Sequence, residues 1–155
     1  MIFPLAWYLT WTTYGTWLHG DPRGSYLGSR FLTADLTLEV SMREEMTEDA
    51  VYLTDAQRAL VDATLVSECA AQSWVLHARN VRTNHVHMVV SAPRDGEKVR
   101  SRLKAVASDA LSNNEGLPMA GKNGRRRWWT EKGNVVAVET ERSLGETATY
   151  VRDLQ

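Results

Sequence analysis

The sequence has few of the features that exported and membrane-bound proteins need. Cys69 is the only cysteine among 155 residues, so no disulfide can form within the chain. A lone cysteine in an apolar pattern suits a reducing compartment. No apolar run approaches the ~20 residues of a membrane-spanning helix. The first residues also lack a basic region followed by an apolar stretch. We therefore expect a cytoplasmic protein with no membrane partner.

An excess of charge of either sign is also lacking, because the formal net charge is -1. That value alone argues against a general binder of nucleic acids. The charges are nevertheless segregated along the chain. Residues 35–68 carry nine acidic and two basic side chains, whereas residues 98–127 carry eight basic and two acidic ones. The basic segment could form a patch for a phosphate backbone, or it could simply provide solvated helix faces.

The length and the 43% apolar composition suit one compact domain over residues 1–155. Aromatic and β-branched residues at 7–13 predict a first strand, and a glycine-rich loop follows it. Thr54 and Gln57 have the spacing of a capping box, and apolar residues at helical spacing follow. They predict a helix over residues 55–72. Residues 33–53 are ambiguous, with some helix expected.

The second half of the chain alternates strands and helices. Two strands with a short polar turn between them predict a β-hairpin. A helix then follows Pro93, and further strand residues precede a last helix. Ser143 and Glu146 resemble a second capping box, which would start that helix near Ser143 and carry Tyr150 on it. The predicted strands are 74–81, 85–91, and 128–129 with 134–139.

The order of the first six elements is strand, helix, strand, strand, helix, strand. This order matches the split β-α-β arrangement of ferredoxin type. We therefore predict an α+β fold in which an antiparallel sheet carries helices on one face. The other face would be left for a site or for the C-terminal, tyrosine-bearing helix.

His85 and His87 are the first candidates for chemistry. Side chains two residues apart in a strand point to the same face, so both imidazoles would project together, with Val86 and Met88 opposite. Neutral imidazole is a common metal ligand, and this spacing offers two nitrogens to one ion. The pattern alone is weak, because many strands carry it by chance.

Residues 84–90, Asn-His-Val-His-Met-Val-Val, resemble the His-hydrophobic-His (HUH) motif of single-tyrosine transposases. The resemblance is strongest to REP-associated tyrosine transposases and to small IS200-like insertion-sequence transposases. It does not cover residues 33–53 and 112–124. Further segments that resemble this family are residues 10–18, 20–24, 129–133 and 150–155.

The resemblance implies a metal-dependent endonuclease that cuts single-stranded DNA at hairpin-containing sites and transfers the strand. Tyr150 would be the nucleophile and would form a 5′-phosphotyrosine, while His85 and His87 would hold Mg²⁺ or Mn²⁺. Gln155 would be a third metal ligand, although relatives place an amide four residues after the tyrosine, where this chain has Leu154. On an ideal helix Gln155 lies about 140° around from Tyr150. The alternatives are a domesticated protein that binds such DNA without cutting it, and a nicking enzyme of plasmid replication or conjugation.

The expected partner is single-stranded or hairpin DNA, and a homodimer is possible. Arginine contacts phosphates, and aromatic rings stack on unpaired bases. Trp128 and Trp129 alternate across the predicted strand, so at most one indole is expected to be free for DNA and the other to pack in the core. The candidate DNA-binding residues are Lys98, Arg102, Lys104, Arg125, Arg126, Arg127, Trp128 and Trp129.

Overall fold

The computed structural model describes residues 2–17, 25–27, 30–46, 49–114 and 127–153. These residues form strands and helices in mixed order. The strands are β1 (Ala6–Thr12), β2 (Ser25–Leu27), β3 (Arg30–Leu32), β4 (Val75–Val81), β5 (His85–Ser91) and β6 (Asn134–Val138). The helices are α1 (Leu36–Glu44), α2 (Asp55–Ala71), α3 (Gly96–Asn114) and α4 (Glu141–Asp153).

The main sheet has the strand order β4-β5-β1-β6, with every neighbouring pair antiparallel. β1 is therefore central and pairs with β5 on one side and β6 on the other. This strand order, with α2 between β1 and β4 and α3 between β5 and β6, is that of the ferredoxin-type arrangement. The predicted α+β fold is confirmed. The segment left ambiguous contains α1, and β2 and β3 form a separate two-stranded sheet before it.

The main core lies between the sheet and helices α2 and α3. Leu9, Val86 and Met88 point from the strands toward this layer and are fully buried. Leu65 of α2 and Leu103 of α3 meet them from the helices and are also fully buried. Because Val86 and Met88 of β5 face this core, the odd-numbered residues of the strand, which include His85 and His87, face the other side of the sheet.

Helix α4 packs on that opposite side. Ala148 and Val151 are buried against Ala78 and Val89 of the sheet, and Leu144 packs at the margin of this second cluster. Leu144 and Val151 therefore dock the helix, as their seven-residue spacing predicts. Across the same face, the Asn80 side-chain amide donates to the Val151 carbonyl at 3.0 Å.

The start of α4 differs from its predicted start. The backbone N–H of Ser143 donates to the Thr140 hydroxyl at 3.1 Å, and the Leu144 N–H donates to the Thr140 carbonyl at 2.9 Å. Thr140 is therefore the N-cap, and the prediction of a start at Ser143 is wrong. Because β6 already ends at Val138, the chain turns into the helix at the first capping residue after the strand. Tyr150 consequently lies in the third turn of α4 and not in the second.

The predicted strand at Trp128 and Trp129 is only an isolated bridge between Thr13 and Trp129. The chain then turns sharply before β6. Gly133 has a φ of 125°, and a Cβ there would collide with the Thr10 carbonyl oxygen, so glycine is required at this close approach. Among the described residues, every helix is too short or too polar to cross a lipid bilayer.

Candidate metal and tyrosine site

His85 and His87 stand side by side on the face of the sheet that carries α4. Their ring centroids are 4.6 Å apart and the rings are nearly perpendicular, with an interplanar angle of 87°. Val86 and Met88 point to the opposite face and are fully buried in the main core. The register of β5 is therefore fixed by its apolar residues, which leaves both imidazoles on the accessible face, each half-buried.

Each imidazole is oriented by a hydrogen bond at Nδ1. The Nδ1 of His85 lies 2.7 Å from the Asn84 side-chain oxygen. An amide oxygen only accepts, so Nδ1 carries the proton and Nε2 keeps the lone pair that a metal requires. The Nδ1 of His87 lies 2.9 Å from the Tyr8 hydroxyl. When His87 donates to the phenol oxygen, its Nε2 is likewise left as the metal-binding nitrogen.

The surroundings of His87 keep it neutral. Burial, and then the charges of His85 and Arg82, lower the pKa of His87 to about 4. The imidazole is therefore uncharged at neutral pH, which is the form that coordinates metals.

A row of polar side chains crosses the sheet beside the histidines. His87 is opposite Thr10 on β1 and Asn80 on β4, and Asn134 on β6 is opposite Thr10 in turn. Directly opposite residues in an antiparallel sheet share a face, so these side chains lie next to one another. They give the open part of this face hydroxyl and amide groups that can contact a phosphodiester.

Tyr150 projects from α4 on the same side of the sheet and is 56% exposed. Its neighbour Val151 is buried and anchors the helix. Burial, and then the charge that Tyr150 acquires on ionisation, raise the pKa of Tyr8 to about 12. Tyr150 therefore lies within electrostatic reach of Tyr8, whose hydroxyl bonds His87. The fold brings the predicted nucleophile and the predicted ligands to one face.

His85 and His87 could supply part of the coordination of a metal ion. Two oriented imidazoles two residues apart on β5 can supply two ligands to one divalent ion, and this nitrogen pair suits Mn²⁺ better than Mg²⁺. Within the described residues, no group of three His, Cys, Asp or Glu side chains comes together. Gln155, the third ligand implied by the resemblance, and Leu154 lie outside the described residues.

The two tryptophans expected near DNA are both packed. Trp128 is 2% exposed, and its indole N–H donates to the Ser112 hydroxyl at 2.9 Å. Trp129 is half-buried, meets Trp11 edge-on, and donates to the Lys104 carbonyl at 3.0 Å. Trp128 is therefore the core member of the pair, and its ring is too buried to stack on an unpaired base.

Lys104, one of the candidate DNA-binding residues, contributes to the fold through hydrogen bonds to the backbone. Its ammonium donates to the carbonyls of Thr130 and Lys132 at 2.7 and 2.6 Å. Arg102 forms an ion pair with Glu68 at 2.7 Å, which ties α3 to α2. Lys98 is exposed, and Arg127 lies over the Tyr14 ring at 5.9 Å. Arg125 and Arg126, which were also predicted to bind DNA, lie outside the described residues.

Tyr8, Thr10 and Asn80 also lie beside His87 in the candidate site, although no sequence pattern singles them out. Strand alternation places Tyr8 and Thr10 on one face of β1. Their position beside the histidines depends on the pairing of β1 with β5, which no local pattern specifies.

Comparison with known proteins finds a likeness in solved structures alone. No family model matches the sequence, and no curated protein matches it. A REP-associated tyrosine transposase bound to a REP hairpin superposes with a TM-score of 0.55 at 12% identity, covering 97% of this chain and 66% of that one. A proposed transposase from Deinococcus radiodurans R1 superposes with a TM-score of 0.54 at 14% identity, covering 97% and 91%.

The chain has the fold of these two transposases. It is the fold that the motif resemblance implied. At such low identity the likeness shows the fold alone, and this chain spans 66% of the length of the REP-associated protein.

Proposed function

We propose that this protein is a transposase-type endonuclease that cuts single-stranded DNA through Tyr150. The observation that carries the proposal is that helix α4 with Tyr150, the Tyr8 hydroxyl and the His85–His87 pair lie on one face of the sheet. Helix α4 is docked on this face by buried apolar residues, and it carries Tyr150 on the same side of the sheet as the imidazoles.

His85 and His87 would hold a divalent ion, Mg²⁺ or Mn²⁺, through Nε2. When bound, such an ion polarises a phosphoryl oxygen and offsets the negative charge that develops there. The Nδ1 hydrogen bonds to Asn84 and Tyr8 hold both rings in position, and Nε2 is the coordinating nitrogen when Nδ1 is the donor.

In the proposed reaction, the Tyr150 oxygen attacks phosphorus and forms a new P–O bond as it loses its proton to solvent. The bond from phosphorus to the 3′ oxygen breaks, and that oxygen leaves and takes up a proton as a 3′ hydroxyl. A phosphotyrosine on the 5′ end of the DNA results. Attack on it by a free 3′ hydroxyl restores a phosphodiester, so strand transfer needs no ATP.

The proposed substrate is single-stranded or hairpin-containing DNA. The REP-associated transposase of the same fold is bound to a REP hairpin. In this chain the polar row from Asn80 to Asn134 offers uncharged donors and acceptors around the histidines. The exposed Lys98 adds positive charge on α3.

A second candidate function is a DNA-binding protein of the same fold that does not cleave. One feature favours it: position 154, four residues after Tyr150, is a leucine and cannot supply an amide ligand. Such a protein would bind the same hairpins and form no covalent product.

Tyr150→Phe tests the proposal, because it removes only the hydroxyl of an exposed side chain. The parent, incubated with end-labelled single-stranded hairpin DNA and Mn²⁺, should form a covalent protein–DNA adduct that migrates slowly in a denaturing gel. Tyr150→Phe should bind the DNA with near-parental affinity and form no adduct, and His85→Ala should also form none.

Tyr52→Phe is a matched control, because Tyr52 is 64% exposed and lies in the segment before α2, not on α4. It should form the adduct at the parental rate. An adduct that persists in Tyr150→Phe would place the nucleophile elsewhere. Cleavage without an adduct in the parent would mean that water attacks, and DNA binding without cleavage would establish the second candidate function.

A further inference from the structure

A basic cleft lies on the helix-covered side of the sheet, away from the histidines. It has a volume of about 400 Å³ and is bounded by α3 and residues 127–132. No acidic residue is among the described residues that line it. Its polar lining consists of Arg100, Lys104, Arg127 and Lys132 with the hydroxyls of Ser101 and Ser108.

Arg100 is the decisive residue of this cleft. It is 6% exposed, and its Nη1 donates to the Gly133 carbonyl at 3.1 Å. Its Nε is buried and has no hydrogen-bond partner among the described residues, none of which pairs a carboxylate with this guanidinium. A buried cation that lacks a counter-ion among these residues is costly, and an anion bound at the cleft-facing side of the guanidinium would offset that cost.

Lys104 places a second cation beside it. Burial, and then the charge of Arg100, lower the pKa of the Lys104 ammonium to about 8. The charge of Glu131 acts on Lys104 in the opposite direction, but the Glu131 side chain is exposed and does not line the cleft. Positive charge is therefore concentrated here in a protein whose formal net charge is -1.

We infer that this cleft binds a backbone phosphate of DNA, on the face of the sheet opposite His85 and His87. The inference rests on the DNA-binding part of the proposed function. Guanidinium and ammonium groups with nearby hydroxyls are the usual partners of phosphate oxygens. Half-buried Trp129 gives the cleft an apolar wall against which a sugar or base can pack.

A short path connects this cleft with the histidine face. Lys132 lines the cleft, and two residues later Asn134 begins edge strand β6. Asn134 is opposite Thr10, and Thr10 is opposite His87, so His87 lies two strand spacings, roughly 10 Å, from Asn134. A strand held in the cleft can therefore pass around the start of β6 to the histidines.

Added negative charge in the cleft tests the inference without removing a structural group. Ser101→Glu and Ala105→Glu each place a carboxylate on an exposed position of α3 that lines the cleft. Ser67→Glu makes the same change in net charge on an exposed position of α2 outside the cleft. All three are made in the Tyr150→Phe background, so that binding is measured without cleavage.

Binding of a labelled single-stranded hairpin is followed by fluorescence anisotropy at several salt concentrations. Each cleft variant should weaken binding about fivefold, the effect of one added like charge near a phosphate. The slope of log K against log salt should fall by about 0.7, the value for one lost phosphate contact on a single strand. Ser67→Glu should change neither the affinity nor the slope.

Equal affinity of the cleft variants and Ser67→Glu would overturn the inference and leave the tyrosine chemistry standing. A parent that binds no DNA would overturn both. If the cleft variants lose affinity while the parent forms no Tyr150 adduct, the cleft is supported and the proposed cleavage fails. Competition of the hairpin by inorganic phosphate at millimolar concentration, lost in Ser101→Glu, would further support the phosphate site.

Discussion

At the scale of single residues, Tyr8 links the two halves of the site. Its hydroxyl bonds His87 Nδ1 at 2.9 Å, and its ring lies within electrostatic reach of Tyr150. Tyr8→Phe keeps the ring and removes the group that orients His87. We expect Mn²⁺ affinity, measured by calorimetric titration, to fall about 10- to 100-fold, as when a hydrogen-bond partner of a metal-binding histidine is removed from other proteins.

Tyr52→Phe controls for this substitution, because it also removes a phenol hydroxyl but does so from an exposed side chain. Its Mn²⁺ affinity should equal that of the parent. If Tyr8→Phe bound Mn²⁺ as tightly as Tyr52→Phe, the hydroxyl would have no role in orienting His87.

His87 also makes stability depend on pH in the metal-free protein. Its pKa is lowered from 6.5 to about 4 in the folded chain, mainly by burial. Between these values the unfolded chain binds the proton more readily, so stability is highest above pH 6.5 and falls as the pH drops toward 4. Carboxylates and other histidines also make the free energy of unfolding depend on pH. A His87 variant keeps those groups, so their contribution cancels when it is compared with the parent.

His87→Gln removes this titration and keeps a neutral polar side chain. The difference in free energy of unfolding between parent and variant should therefore favour the parent more at pH 7 than at pH 4.5. Urea unfolding in the presence of EDTA at both values measures it. A difference that stays constant between pH 4.5 and 7 would contradict a lowered pKa for His87.

At the scale of elements, the N-cap of α4 decides where the tyrosine stands. Thr140 accepts the Ser143 N–H, so Thr140→Ala should destabilise the protein by about 1 kcal/mol. Ser143→Ala is the matched control, because Ser143 is exposed within the first helical turn and should change stability by less than about 0.5 kcal/mol. Urea unfolding of both variants compares the two possible helix starts directly. A larger loss of unfolding free energy in Ser143→Ala than in Thr140→Ala would indicate that the helix starts at Ser143, as predicted from the sequence.

Elements with a regular period were predictable from the sequence, and contacts between elements were not. The strand predicted at 85–91 is His85–Ser91, and the helix predicted at 55–72 is Asp55–Ala71. Both have apolar residues at the period of the element and clear ends. Thr140 and Ser143 are both capping residues, however, and the choice between them depends on where β6 ends.

The site shows the same division between local pattern and tertiary contact. Alternation along β5 is enough to place His85 and His87 on one face. The partnership of His87 with Tyr8 requires the register of β1 against β5, which is set by the packing of the whole core. Trp128 is similar, because it is buried in a core built from several elements and bonds Ser112 on α3.

At the scale of the whole molecule, the sheet separates two kinds of chemistry. One face carries the imidazoles and the tyrosine helix, and the other carries the cleft around Arg100. The net charge of -1 gives no sign of this arrangement, because the acidic side chains of residues 35–68 offset the basic ones of residues 98–127. Under the proposed function, the domain would hold DNA on one side of its sheet and cut it on the other.

The docking of α4 also bears on whether one chain or two build each active site. Ala148 and Val151 bury themselves against Ala78 and Val89 of the same chain. This packing holds Tyr150 within electrostatic reach of Tyr8 of its own sheet. We therefore expect Tyr150 to act with the histidines of its own chain, whether the protein is a monomer or the homodimer considered from sequence.

Mixing a His87→Ala chain with a Tyr150→Phe chain tests this expectation. In a site built within one chain, every molecule in the mixture lacks either a metal ligand or the nucleophile, so no adduct should form on labelled hairpin DNA. In a site shared between two chains, the intact Tyr150 of one meets the intact histidines of the other. Such a mixed dimer has one working site, and adduct would form at a fraction of the parental level. Adduct in the mixture, with none from either variant alone, would show that α4 leaves its own sheet and docks on a partner's.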